Sequence, residues 1–326
     1  MVVVLRQRAP GRAQGSSGAS RTHLTSRARP SRGSSIVYGK DIHVDELRKH
    51  VHGFFPDVEG WKEHIKAPIP WFDTAGVVYQ ITGRDKTGKS FFSSYILAQR
   101  SQRSSVVFVT TERSAQLVAA HLLDLGANLD NVVFIDYSDN PHGALGRASM
   151  GKGADPFYQT PFYRDIKQVY ETLSGPKPWL LVVDSLTGFF EAAEWSGRLL
   201  TENLARTIFN LPGVLAFAIS QKRTSHSEFN TEVAGGLTVS HILDGTFILA
   251  KYRYSVFKKE RRFISDLASK YGGAIHTLRW DGCRWGPHPE SEFIVEFSDN
   301  RIRIAGELSP EVLDQYYRTL YNNNPT

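Results

Sequence analysis

A chain of 326 residues, 41% hydrophobic and 12% aromatic, is long enough to bury one sizeable core, and it has no run of about 18 apolar residues that would span a membrane. Its one cysteine, Cys283, excludes an intramolecular disulfide and any cysteine-cluster metal site, and fits a reducing, cytoplasmic setting. The net charge of +6 hints at a polyanion partner only until it is located: residues 1–40 hold eight basic residues and no acid, so residues 41–326 sum to −2.

Residues 1–40 are rich in Arg, Ser, Gly and Pro and lack apolar periodicity, so they read as a disordered basic tail. A solvated tail, an arm for a polyanion, an organelle transit peptide and an over-extended gene start all fit that composition. Residues 41–70 read as a short helix and linker, with the helix from Asp45 to Gly53. Its two histidines, His50 and His52, would then not share a face. From residue 71 onward, apolar strands alternate with helices. Strands are expected at Val77–Ile81, Ser105–Thr110, Asn131–Asp136, Trp179–Asp184, Val214–Ser220 and Thr246–Ala250. Helices are expected at Ser90–Arg100, Ser114–Leu125, Tyr163–Leu173 and Leu199–Phe209, with a Gly/Pro-rich loop over 138–161. Continuous apolar strands between helices predict an α/β fold with a mostly parallel sheet covered on both faces. The segments His276–Trp280, Glu292–Phe297 and Arg301–Ile304 read as antiparallel strands at the edge of the main body. Residues 71–305 make up that body, and 306–326 close in a helix with Ser309 as cap and Pro310 at its first position.

The chemistry begins at Ile81–Phe92, ITGRDKTGKSFF. One Gly, four residues and then Gly-Lys-Ser, between a strand and a helix, is the pattern and context of a phosphate-cradling loop. Gly83, Arg84, Asp85, Lys86, Thr87, Gly88, Lys89, Ser90 and Phe91 are the candidate nucleotide-binding residues. Their amides and the helix start favour phosphate oxygens. Lys89 would neutralise the β and γ phosphates of ATP, and the Ser90 hydroxyl would hold Mg²⁺. Asp184, at the tip of an apolar strand, is placed to orient the same metal. Ser185 follows it, not a glutamate, so the base that activates water must come from elsewhere. Glu112, just past the Val106–Thr110 strand, is the candidate.

These motifs resemble the RecA superfamily of P-loop ATPases, and within it the KaiC-like branch. The residues that carry the likeness are GRDKTGKS (83–90), FVTTERS (108–114), LLVVDS (180–185), ISQ (219–221) and the terminal hairpin, over roughly residues 70–305. The resemblance implies a RecA-like fold, ATP with Mg²⁺, and a homo-oligomer or a related ATPase subunit as partner. It makes Gln221 the sensor of the γ-phosphate. It makes Arg284 an arginine finger supplied to a neighbour's site, with His288 four residues on; Gly282 replaces the family's hairpin lysine. Glu112 is followed by Arg113 where the family carries a second glutamate. In the segment 234–244, Ser240-His241 stands where KaiC-like kinases carry an autophosphorylated Ser-Thr pair.

The expected function is a nucleotide-state switch: an ATP-binding and hydrolysing ATPase in an oligomer. A RadA-like recombinase paralogue on single-stranded DNA is the alternative. The basic and aromatic run Lys251, Arg253, Lys258, Lys259, Arg261 and Arg262 with Tyr252, Tyr254 and Phe257 speaks for it, although a charged strand edge or a solvated helix face has the same composition. A slow, degenerate nucleotide-binding scaffold is the third reading.

Overall fold

The computed structural model describes residues 49–145, 157–191, 197–221, 242–252 and 275–308. The tail 1–40, Ser240, most of the basic run and the expected final helix lie outside these residues.

The described residues open with a two-stranded ribbon, β1 (Val51–Phe54) against β2 (Ile69–Phe72), antiparallel. Between them runs a π-helical turn, Trp61–Ile65. The expected helix ending at Gly53 is therefore a strand at its described end. Tertiary pairing with Ile69–Phe72 overrides the local helical signal. The stretch expected as a linker is anchored too: Trp61, Ile65 and Ile69 are buried in the main core. His52 Nε2, on β1, sits 2.6 Å from the Asp73 carboxylate, and His50 Nδ1, in the turn just before β1, lies 4.0 Å from the same oxygen, which corrects the expectation that the two histidines diverge.

The main body runs β3 (Val77–Gly83), α1 (Lys89–Ser101), β4 (Val106–Thr110), α2 (Ala115–Asp124), β5 (Val132–Asp136), α3 (Pro141–Leu145), α4 (Pro161–Tyr170), β6 (Trp179–Asp184), α5 (Leu186–Glu191), α6 (Gly197–Phe209), β7 (Val214–Gln221), β8 (Gly245–Tyr252), β9 (Ile275–Cys283), β10 (Glu292–Ser298) and β11 (Arg301–Leu308). Among the described residues the strands form one nine-stranded sheet in the order β11-β10-β9-β8-β3-β7-β6-β4-β5. From β8 to β5 neighbouring strands are parallel; β8-β9-β10-β11 are antiparallel. The short helix α3 falls inside the expected Gly/Pro-rich loop 138–161, and α5 falls where no element was expected.

The parallel strands are apolar throughout because both faces are covered. Alternate residues feed two cores. Tyr79, Ile81, Phe108, Val182 and Phe217 pack with Phe92, Ile96 and Leu97 of α1 and Val118 and Leu122 of α2. Val78, Val107, Val109, Leu181 and Val183 pack with Phe162 and Ile166 of α4 and Ala205 and Ile208 of α6. No described helix is long and apolar enough to cross a membrane.

What this topology does for function is simple. β3, β4, β6 and β7 all end on one side of the sheet, and in register: Gly83 pairs with Gln221, and Thr110 with Asp184. Ligand sites of open α/β sheets lie outside such strand ends.

Candidate nucleotide-binding site

The loop between β3 and α1 is shaped by two glycines. Gly88 has φ +93, a left-handed value that disfavours any side chain, and a Cβ there would lie 2.7 Å from the Phe297 ring. At Gly83 a Cβ would come within 2.1 Å of the Leu249 carbonyl oxygen on β8. Inside the loop the Thr87 hydroxyl donates to the Arg84 carbonyl at 3.0 Å. The loop is thus held open around its own amides, at the start of α1.

Lys89 is buried and its ammonium donates to the carbonyls of Gly83 at 3.0 Å and Arg84 at 2.6 Å. Burial lowers its affinity for a proton, against the pull of Asp85, Asp184 and Glu112. Such a cation, folded onto loop carbonyls, has more to gain from an anion than from its present partners.

Across the cleft stands Asp184. Burial pushes its carboxyl up to about 6, and the nearby Glu112 charge adds to the rise; the Ser90 hydroxyl, which donates to it, and the charges of Lys89 and Arg113 work the other way. A paired hydroxyl and a carboxylate that favours an added positive charge form the oxygen donor set that Mg²⁺ prefers. Ser90 and Asp184 therefore fit the metal.

Glu112 lies exposed beyond the end of β4. Its Oε1 accepts from the Ser185 hydroxyl at 2.5 Å. Ser185 is itself fixed: its amide donates to the Thr111 hydroxyl at 3.0 Å, and that hydroxyl donates to the Ser185 carbonyl at 2.9 Å. Sequence reasoning missed Ser185 and Thr111 as members of the site. The only signal in the sequence is the serine directly after Asp184, at the position where a glutamate is absent. Gln221, at the end of β7, has its amide tied to the Thr187 hydroxyl at 3.0 Å, which leaves its side chain at the cleft.

A cleft of about 200 Å³ gathers these groups: residues 85–91 of the loop, Glu112, Asp184, Ser185, Ile219 and Gln221 line it. Gly83 and Arg84 contribute as carbonyl partners of Lys89 behind it. Arg284 does not join them. Its backbone amide donates to the Asp244 carbonyl at 2.7 Å, and its guanidinium lies 4.0 Å from the Asp244 carboxylate. That position is beside the opposite end of β3, because Gly245 pairs with Tyr79 on one side and Cys283 on the other. His288 Nε2 accepts from the Gly282 amide at 3.1 Å and so braces the same turn.

Among curated proteins no relative matches the chain. Among solved structures, a KaiC-like protein from the hyperthermophilic archaeon Pyrococcus horikoshii OT3 superposes with a TM-score of 0.53 at 17% identity, over 78% of this chain and 99% of that one. At that identity the likeness shows the fold, which is RecA-like. The family model of the KaiC ATPase matches residues 69–309. With most of the chain inside that range, the glycine loop 83–90 and Asp184 included, the chain belongs to the KaiC family of ATPases.

Proposed function

We propose that the protein binds and hydrolyses ATP with Mg²⁺ and that its nucleotide state switches its contacts within an oligomer. The observation that carries this reading is the convergence of Lys89, Ser90, Glu112, Asp184 and Gln221 on one cleft at the ends of parallel strands. Lys89 leaves the carbonyls of Gly83 and Arg84 and meets the β and γ phosphates, while the amides of residues 83–90 hold their oxygens. Mg²⁺ held by Ser90 and Asp184 supplies positive charge against the phosphates. Glu112, aimed by Ser185, accepts the proton of the attacking water. Gln221, level with Gly83, hydrogen-bonds the terminal phosphate and reports its loss. Because Arg284 lies away from its own loop, it serves the loop of a neighbouring subunit, where it stabilises transition-state charge. The chain acts in the cytoplasm, with residues 71–305 as the working domain.

The test is steady-state ATP hydrolysis by the full chain, beside Lys89→Ala and Glu112→Gln. Lys89→Ala should lose nucleotide binding. Glu112→Gln should keep it and lose turnover by about a hundredfold or more, the usual share of a general base. Wild-type turnover in Glu112→Gln would sink the assignment of the base. A several-fold rise in turnover with single-stranded DNA would instead favour the recombinase-like reading.

A further inference from the structure

β7 pairs with β3 in register as far as Gln221, which stands opposite Gly83. On its other side the ladder is shorter. Val183 with Ala218 is the last pair between β6 and β7. Beyond Asp184 the chain turns out of the sheet into α5, so β6 offers no carbonyl to the Gln221 amide. The Thr187 hydroxyl on α5 takes that place and accepts from the amide at 3.0 Å, across 34 positions of sequence.

This hydroxyl stands on a turn that is held from several directions. Leu186 and Phe189, on either side of it, are buried in the core shared with α4 and α6. The Phe189 ring meets Phe162 of α4 edge to face at 5.8 Å. Gly188 lies so close to Thr111 that a Cβ there would come within 2.3 Å of the Thr111 hydroxyl. The Ser185 hydroxyl accepts from the Gly188 amide at 3.3 Å while it donates to Glu112. Residues 185–188 thus hold Glu112 at one end and the backbone of Gln221 at the other. Thr187 itself is buried and is not among the residues that line the cleft. Any part it takes in the chemistry therefore passes through Gln221. A valine would fill nearly the same space, so what the oxygen adds is the bond to the Gln221 amide.

We propose that Thr187 is a positioning residue for ATP hydrolysis: its hydroxyl holds the end of β7 at the depth where Gln221 and Glu112 face the same terminal phosphate. A side chain that must meet a reacting group needs its own backbone fixed, because small displacements cost large factors in rate. The inference rests on the roles read above for Gln221 and Glu112 and adds the residue that sets their spacing.

Steady-state hydrolysis of MgATP by the full chain tests it, with Thr187→Val, Thr187→Ser, Gln221→Ala and the Thr187→Val/Gln221→Ala pair. Thr187→Val should lower kcat about tenfold and leave KM within about twofold, since alignment is lost and binding is not. Thr187→Ser, which keeps the acceptor, should restore kcat to within about twofold of wild type. Thr187→Ala removes the same acceptor without crowding the turn and should give the same split, so a fold that rejects valine does not decide the matter. Gln221→Ala should itself lower kcat several-fold. In that background Thr187→Val should cost less than about twofold more, because two residues that act as one unit are not additive. An unchanged kcat in Thr187→Val, or the same loss with and without Gln221, would overturn the proposal and make Thr187 a structural residue only. If Gln221→Ala hydrolyses ATP like wild type, the sensor reading fails, and the role of Thr187 with it.

Discussion

The Ser185 hydroxyl donates to Oε1 of Glu112 at 2.5 Å, across 73 positions of sequence. This bond ties the tip of β6 to the residue beyond β4, so the two carboxylates of the site, Asp184 and Glu112, are held by consecutive residues of one strand end. A general base works only if its lone pair points at the proton it takes, and one short bond fixes that direction. Removing the hydroxyl should free Glu112 to turn into solvent. Ser185→Ala is expected to lower kcat about tenfold with KM for ATP changed less than about twofold, since alignment is lost in the transition state and not in binding. Steady-state kinetics decide it; a matching rise in KM would mean that Ser185 serves binding instead.

Gly88 and Phe297 form a second testable pair. Any side chain at position 88 meets both a left-handed backbone, φ +93, and the Phe297 ring, 2.7 Å from the new Cβ. Gly88→Ala should therefore destabilise the protein by about 1–3 kcal/mol. In a Phe297→Ala background the same change should cost less, because the ring has gone while the backbone strain stays. Urea unfolding of the four species gives the coupling. Equal costs in both backgrounds would show that the loop yields to the methyl group without touching the ring.

Asp136 carries the pH dependence with the clearest sign. Its Oδ2 accepts from the Ala115 amide at the start of α2 at 2.7 Å, and its Oδ1 accepts from the Ser138 amide at 2.9 Å and hydroxyl at 2.7 Å. Burial alone would raise its pKa. The hydrogen bonds from Ala115 and Ser138 outweigh burial and hold the carboxyl below its ordinary 3.8. A depressed native pKa means that the contribution is present above the unfolded value and is lost as pH falls through the native one. Asp136→Asn should cost about 1 kcal/mol at neutral pH. The gap to wild type should close as pH drops below 3.8. A gap that stays constant down to strong acid would show that the charge contributes nothing.

Much of this was legible in the residues. The apolar runs Val106–Thr110, Trp179–Asp184 and Val214–Ser220 have no reading but buried parallel strands, and the glycine spacing of 83–90 needs only local geometry. Glu112 could be placed beside the cleft without coordinates because a doubly wound sheet with an inserted strand brings the end of Val106–Thr110 next to the loop. The errors share a cause. Val51–Phe54 became a strand because Ile69–Phe72 pairs with it, and Ser185 became a site residue because Glu112 reaches it. Both are contacts between distant segments, to which no local pattern points. Thr187, 34 residues from Gln221, is hidden for the same reason.

Arg284 poses the sharpest question about assembly. It sits beside the end of the sheet where β3 begins, level with Tyr79 through Gly245, while the phosphate loop leaves β3 at Gly83. Four residue steps along the strand separate the two levels, about 13 Å, and the loop lies farther still, beyond an arginine's reach. If Arg284 takes part in hydrolysis, it must do so on another subunit's nucleotide. Arg284→Ala should then lower turnover by at least about tenfold, as loss of a transition-state cation does, and leave ATP binding within about twofold. Its remaining effect, loss of the ion pair to the buried Asp244, would appear as stability and not as turnover. Mixing separates the two. Arg284→Ala and Glu112→Gln are each expected to be poor ATPases. Co-assembled, they form interfaces where an intact Glu112 from one chain meets an intact Arg284 from the other. Turnover of the mixture should rise several-fold above either variant alone. If it equals their average, Arg284 works only within its own chain, by holding Asp244 and the turn it borders.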